Sequence, residues 1–211
     1  RDRDEFRRCH PRAGWAEAFY RKGRCYAYCS ALDANPWHWL MHEAVHQLNH
    51  EVTRLGAPKW IDEGLATYFS AGIYEDGHLH PGRPNGDAYP IWWVFDLHLT
   101  EDVQADIAAG HFIPLRAIVT GSGGPDLDEA FNLYYVHWWS LSHFLLAGDG
   151  GRRRDEYLAL VRDGGGLAAF EERIGPINEV QADWHAYLRD LQQQALRGEF
   201  SPRRPESAGR D

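Results

Sequence analysis

Apolar and polar positions change period along this chain, and each change marks an expected element. Between residues 15 and 32, WAEAFYRKGRCYAYCSAL places aromatic and small residues on both sides of a Lys-Gly pair, which predicts a hairpin or an edge strand. The period then lengthens. In ANPWHWLMHEAVHQLNHEVTRLG, Met41, Ala44, Val45, Leu48, Val52 and Leu55 recur at steps of three and four, the spacing of an apolar helix stripe. Asn35 can cap that helix, Pro36 suits its first position and Gly56 stops it. APKWIDEGLATYFSAG predicts a second, shorter helix starting at Pro58. Residues 75–90, EDGHLHPGRPNGDAYP, read as a loop, followed by helices near 90–99 and 101–109. FIPLRAIVTGSGGP is a short helix or extended stretch entering a Gly-rich loop, and EAFNLYYVHWWSLSHFLLAG is a buried helix. RDEYLALVRDGGGLAAFEERIGPINEVQADWHAYLRDLQQQAL gives two or three more helices before a Pro/Arg tail expected to be disordered from about Gly198. No internal repeat is present. The expected class is α+β, a small N-terminal β region and a mostly helical body, as one domain over 1–197 with a tail over 198–211.

Composition sharpens this. At 211 residues, 44% of them apolar, with nine Trp, ten Tyr and nine Phe, the chain can bury a core of its own. A formal charge of -9 argues against nucleic acid and against an anionic membrane surface as partners. No apolar run approaches the roughly 18 residues of a membrane span. The chain opens on the charged RDRDEFRR without an initiator Met, as an excised domain or a mature form would, and an extracytoplasmic location is the expectation. Cys9, Cys25 and Cys29 fall within the first thirty residues. They suit a disulfide from Cys9 to one of the others, or buried thiols, better than a zinc knuckle with His10, because the spacing matches no common finger.

The first long helix also carries candidate chemistry. His42 and His46 sit off the apolar stripe, one turn apart, so both imidazoles can reach one zinc ion. Glu43 points to one side of that pair, where it can take a proton from water without ligating the metal. A His-Glu-x-x-His pattern arises by chance somewhere in a chain of this composition with a probability of roughly 4%, so the pentapeptide needs support. Glu63 supplies it. A zinc site with two histidines on one helix needs a third protein ligand, and Glu63 follows His46 by 17 positions, past a Gly/Pro break that lets a second helix fold back. Gly64 beside it removes a side chain where that helix is expected to approach the metal.

HEAVH followed by WIDEGLATY resembles the gluzincin metallopeptidases, whose third ligand is a Glu on the following helix. HEAVHQL, PKWIDEGLATYF, YYVHWWSLSHFLL and AFEERIG...ADWHAYLRDL are similar to a family of uncharacterised bacterial proteins classed as metallopeptidases in that clan, over about residues 37–192. The resemblance implies a zincin-like domain holding one Zn2+ per chain through His42, His46 and Glu63, with Glu43 as general base and a peptide or protein as substrate. It also puts a Tyr at the start of the YYVHWW helix. Tyr135 shares a face with Asn132, Trp139 and Ser142, whereas Tyr134 shares one with the core-like Trp138, Leu141 and Leu145, so Tyr135 is the expected oxyanion donor. The aminopeptidase branch carries an upstream G-x-M-E-N with no counterpart here, so no aminopeptidase is expected. The metzincin pattern fails at Asn49 and Val52, where it needs Gly and His.

Other residues have plainer readings. His50 continues the row of His46 one turn on and is expected to be solvated or to support a ligand. His78 and His80 read as surface or cleft-rim groups, and His137 and His143 as satisfied polar groups of a buried helix. Trp92, Trp93, Trp138 and Trp139 read by default as core. Two functions compete with a peptidase: a zinc-binding scaffold that has lost hydrolysis, and a non-peptide amide or ester hydrolase. Glu43 argues against the scaffold, because a structural zinc site is closed and needs no base.

Overall fold

In the computed structural model, which describes residues 2–13, 16–28 and 37–200, two small hairpins flank a body of helices. The chain begins with α1 (Arg3–Cys9), β1 (Ala18–Arg21), β2 (Arg24–Ala27), α2 (His38–Gln47) and α3 (Lys59–Ser70). β3 (Gly72–Glu75) and β4 (His78–Pro84) follow, then α4 (Val103–Ala108), α5 (Leu115–Thr120), α6 (Phe131–Leu146), α7 (Arg154–Arg162), α8 (Leu167–Arg173) and α9 (Ile177–Leu196). This is the expected α+β composition, with helix dominant. Among the described residues no helix is long and apolar enough to cross a membrane.

The core is built on α6. From Val136 to Leu146 this helix is buried on every side, as an apolar helix at the centre of a fold must be. Trp139, Leu141 and Leu145 are fully covered, with Trp60 and Ile61 of α3, Tyr157 of α7 and Trp184 and Leu188 of α9 in the same cluster. Its polar groups are satisfied internally. His137 donates through Nδ1 to Leu133 O (2.7 Å) and accepts at Nε2 from the Ile113 N–H (3.1 Å). His143 accepts from the Tyr187 hydroxyl (2.6 Å) and donates to Gly82 O (3.3 Å). Burial lowers both histidines to about 4, so they pack as neutral rings, the role expected of them.

Gly64 is the close-contact point between α3 and α6. A Cβ there would lie 2.4 Å from Ser142 Oγ and 2.9 Å from the Trp138 carbonyl oxygen. The missing side chain therefore serves the packing of two helices, not an approach to a metal, which corrects the expectation for this glycine.

Hairpin β1–β2 turns at Lys22 and Gly23, both at positive φ (51° and 76°), as a two-residue turn matched to strand twist requires. It is fastened to α2: Gln47 Nε2 donates to Gly23 O (2.8 Å), Cys25 Sγ lies 3.4 Å from Gln47 Oε1, and the Tyr20 hydroxyl bonds Glu51. The hairpin becomes a wall over the HEAVH helix.

Several expectations need correction. Residues 75–90 are not all loop, because β3 and β4 pair around Asp76 and Gly77, again both at positive φ. The helix expected near 90–99 is a 3-10 turn at Ile91–Trp93, where buried Ile91, Val94 and Leu97 recur every three residues instead of at helical spacing. Trp92 and Trp93 stand 42% and 36% exposed, against the default of core, whereas Trp138 and Trp139 are buried. α2 continues as a π-helical turn over Leu48–Thr53 and stops at Arg54, in the left-handed region at φ 52°, not at Gly56. Its expected apolar stripe is not the buried face: Leu48 and Val52 are 55% and 70% exposed, while His38, His42 and Asn49 are buried. α2 lies at the edge of the body, and the side it turns inward is the histidine side. The chain past α9 packs as far as Phe200, which is buried and accepts from the Gly86 N–H (2.8 Å), so order extends beyond Gly198. Residues 201–211, Asn35, Pro36 and Cys29 lie outside the described residues.

Candidate metal centre

The inward face of α2 meets α3 across a set of polar groups. His42 Nε2 and His46 Nε2 lie 3.1 Å apart, and Glu63 Oε2 is 3.3 Å from the first and 3.6 Å from the second. An ion held tetrahedrally at 2.0–2.1 Å separates its ligand atoms by about 3.3 Å, so this triangle has the size of one face of a zinc coordination shell. Two nitrogens and a carboxylate oxygen are also the donor types that suit zinc. Among the described residues this is the one group of three or more His, Cys, Asp or Glu whose ligand atoms lie close enough that they could hold a metal ion.

Supporting groups fix the triangle. His46 Nδ1 faces Asp62 Oδ2 (3.1 Å), and the buried Asn49 donates to Asp62 Oδ1 (2.9 Å). A carboxylate on the far nitrogen sets the tautomer, leaving Nε2 to a metal, and orients the ring. Asn49 and Asp62 were not foreseen. The signal was present in Asp62 immediately before Glu63, and in Asn49 three residues after His46 on the same side of α2. One turn before His42, His38 anchors α2 to the end of α3 by donating through Nδ1 to Ser70 O (2.9 Å).

The charges are strongly coupled. Burial alone would lower His46, but its bonds to Asp62 and Glu63 outweigh that and raise it to about 10. Burial alone would raise Glu63, but His42 and His46 hold it well below the usual carboxylate range. Asp62 is lowered in the same way by His46 and Asn49 against its burial. In the metal-free protein the site thus stores a proton that a cation can replace.

Glu43 lines the same cleft as the triangle and belongs to no ligand group. Burial raises its carboxyl, and the opposing pull of His42, His46 and the Tyr20 backbone does not cancel that rise. A carboxylate pushed toward neutral pH is a better proton acceptor in the working range. Tyr135, on the first turns of α6, donates its hydroxyl to Glu63 Oε2 (3.0 Å), the same oxygen that the two imidazoles approach. Tyr134 turns away and donates to Pro125 O (3.0 Å), fastening the loop before α6. The structure therefore gathers His42, Glu43, His46, Glu63 and Tyr135 in one cleft of about 360 Å³, within the range of small-ligand pockets.

The remaining candidates lie elsewhere. His50 is exposed and stacks on Tyr20. His78 and His80 are on β4, away from the cleft. Cys9 and Cys25 are free thiols, and with His10 they line a separate cavity of about 160 Å³. The His10 ring packs against Phe6, Phe19 and Tyr26. The chain matches no protein-family model, no curated protein and no solved structure.

Proposed function

We propose that the protein is a zinc-dependent peptidase of zincin-like fold, with His42, His46 and Glu63 as metal ligands, one ion per chain, and Glu43 as general base. One observation carries the reading: the ligand triangle of tetrahedral size opens into the same cleft as a carboxylate that is not part of it. When bound, zinc supplies Lewis acidity that makes a water nucleophilic near neutral pH. Glu43, lining the cleft without belonging to the ligand triangle, would serve as the proton acceptor for an attacking water and, with its raised carboxyl, as the donor to a departing amine. Tyr135, aimed at the inner oxygen of Glu63, transfers its hydrogen bond to the carbonyl oxygen as negative charge builds there. Asp62 and Asn49 keep His46 oriented throughout. A site serving only structure has no use for the unligated base, which favours hydrolysis over a zinc scaffold.

The test combines metal analysis with digestion of a peptide library. Protein never exposed to chelator or to a nickel column should carry close to one zinc per chain, and His46→Ala should lose it. Glu43→Gln should keep the zinc and lose about 10² to 10⁴-fold in hydrolysis. An equally active Gln variant would remove Glu43 from the mechanism, and full zinc content in His46→Ala would remove the ligand assignment.

A further inference from the structure

One wall of the cleft is made of aromatic rings that begin at the site itself. The Tyr135 ring, whose hydroxyl touches Glu63, lies 4.7 Å from Phe131 and 5.3 Å from Tyr89. Tyr89 in turn contacts Trp39, another lining residue, at 5.5 Å, and is backed outside the cleft by Trp92 at 5.7 Å. Tyr89 is locked in place, since its hydroxyl donates to Asn132 Oδ1 (3.2 Å) and its ring is almost fully buried. The Phe131 ring is not covered, at 40% exposed. Ring surface left open beside a cleft, on a rigid support, is a preformed apolar binding surface and not unfilled core.

The charges around the same cleft narrow what can occupy it. Among the described residues its lining includes Glu17, Glu43 and Glu63 but no Lys or Arg. Two of these carboxylates are committed to the metal chemistry, and Glu17 already binds Arg3 and Tyr28. A carboxylate on the substrate away from the ligand triangle, whether an acidic side chain or a chain terminus, meets no lysine or arginine among the described lining residues.

We propose that the wall formed by Trp39, Tyr89, Phe131 and Tyr135 is the specificity pocket, taking a large apolar side chain, aromatic above all, next to the scissile bond within an uncharged stretch of peptide. This rests on the peptidase reading above. Tyr135 joins the two functions, because its hydroxyl serves the reacting carbonyl while its ring begins the pocket, so an aromatic side chain seated there holds that carbonyl at the metal.

The test uses zinc-loaded protein and capped peptides differing at one position, Phe, Leu, Ala or Glu. Phe is expected to exceed Ala by about 10 to 100-fold in kcat/KM, with Glu poorest. Phe131→Ala should cut the Phe-to-Ala ratio by about three- to tenfold while leaving zinc content and Tm at the parent values, since Phe131 is part-exposed. Peptides cleaved with equal efficiency at Phe and Ala, or a ratio untouched in Phe131→Ala, overturn the pocket and leave the peptidase reading standing. If no peptide is cleaved, the peptidase reading falls, and binding alone decides the pocket. N-acetyl-phenylalaninamide added to zinc-loaded protein should then give saturable NMR shifts of the Trp39 indole that N-acetyl-alaninamide does not. Absence of those shifts overturns the pocket as well.

Discussion

Replacing Gly64 by Ala tests whether the site is positioned by helix packing. The new methyl would sit 2.9 Å from the Trp138 carbonyl oxygen, about half an ångström short of ordinary contact, and 2.4 Å from Ser142 Oγ. The Ser142 hydroxyl can rotate away, but the carbonyl belongs to the backbone of α6 and cannot, so α3 and α6 must separate. Overpacking of this kind costs about 1–3 kcal/mol. Ala is the better helix former by about 1 kcal/mol, which offsets part of that. A net loss of up to about 2 kcal/mol lowers Tm by up to about 8 °C in a domain of this size. The same separation lengthens the 3.0 Å bond from Tyr135 to Glu63, so catalysis should fall further than stability, by up to about 10²-fold for a displacement near 1 Å. Thermal unfolding by circular dichroism, with zinc content and peptide turnover measured on the same samples, provides the readout. Adding Ser142→Ala should restore only part of the loss. A Gly64→Ala protein melting above the parent temperature would refute the packing argument, and complete rescue by Ser142→Ala would show that the carbonyl contact does not matter.

Asp62→Asn should fold normally and bind zinc about 10 to 100-fold more weakly in a chelator competition; unchanged affinity would mean that Asp62 does not orient His46. Tyr135→Phe should lower kcat by about 10 to 10³-fold, with a smaller drop in zinc affinity because Glu63 loses a donor, while Tyr134→Phe should act on stability and not on rate; the reverse order would move the oxyanion role. In metal-free protein the raised His46 contributes stability that is complete below its ordinary value of 6.5 and lost as pH rises toward about 10. The depressed Glu63 contributes stability present above its ordinary 4.5 and lost on acidification. Below pH 6.5 the buried neutral His38, His137 and His143, each lowered to about 4, also cost stability because the unfolded chain takes up their protons, so Tm of chelated protein should be highest near pH 6.5 and fall on both sides. A rise between pH 7 and 10 would contradict the His46–Asp62–Glu63 coupling. Zinc affinity should run the opposite way, increasing with pH as the His46 proton becomes easier to displace.

Local signals read truly where one rule governed and failed where two competed. The turn at Lys22-Gly23, the break before Pro58 and the unbroken apolar run of α6 each have a single interpretation, and the elements follow it. For α2, the apolar stripe named one face as buried, yet the fold turns the histidine face inward and leaves Leu48 and Val52 in solvent. Periodicity reports which residues share a side and not which side meets a partner. Gly and Pro hid the strand at His78–Pro84, although Asp76-Gly77 is a strong hairpin signal. α1 was overlooked too, although Asp2 caps it by accepting from the Glu5 N–H (2.8 Å), with acids in the first turn and arginines in the last. The candidate ligands could be named because i, i+4 spacing fixes their geometry locally. Asp62 and Asn49 could not, because their partnership exists only once two helices meet.

The molecule is held together in two different ways. Around α6, apolar surface leaves water and no solute is needed. Between α2 and α3, the inner contacts are imidazole, carboxamide and carboxylate, so the adhesion of α2, and of the β1–β2 hairpin fastened to it, depends on protons or on a cation. If zinc binds as proposed, its loading is an assembly step for one edge of the molecule as well as the supply of a Lewis acid. On that proposal, protein without zinc should exchange the amide hydrogens of that edge and admit proteases there well before the rest opens.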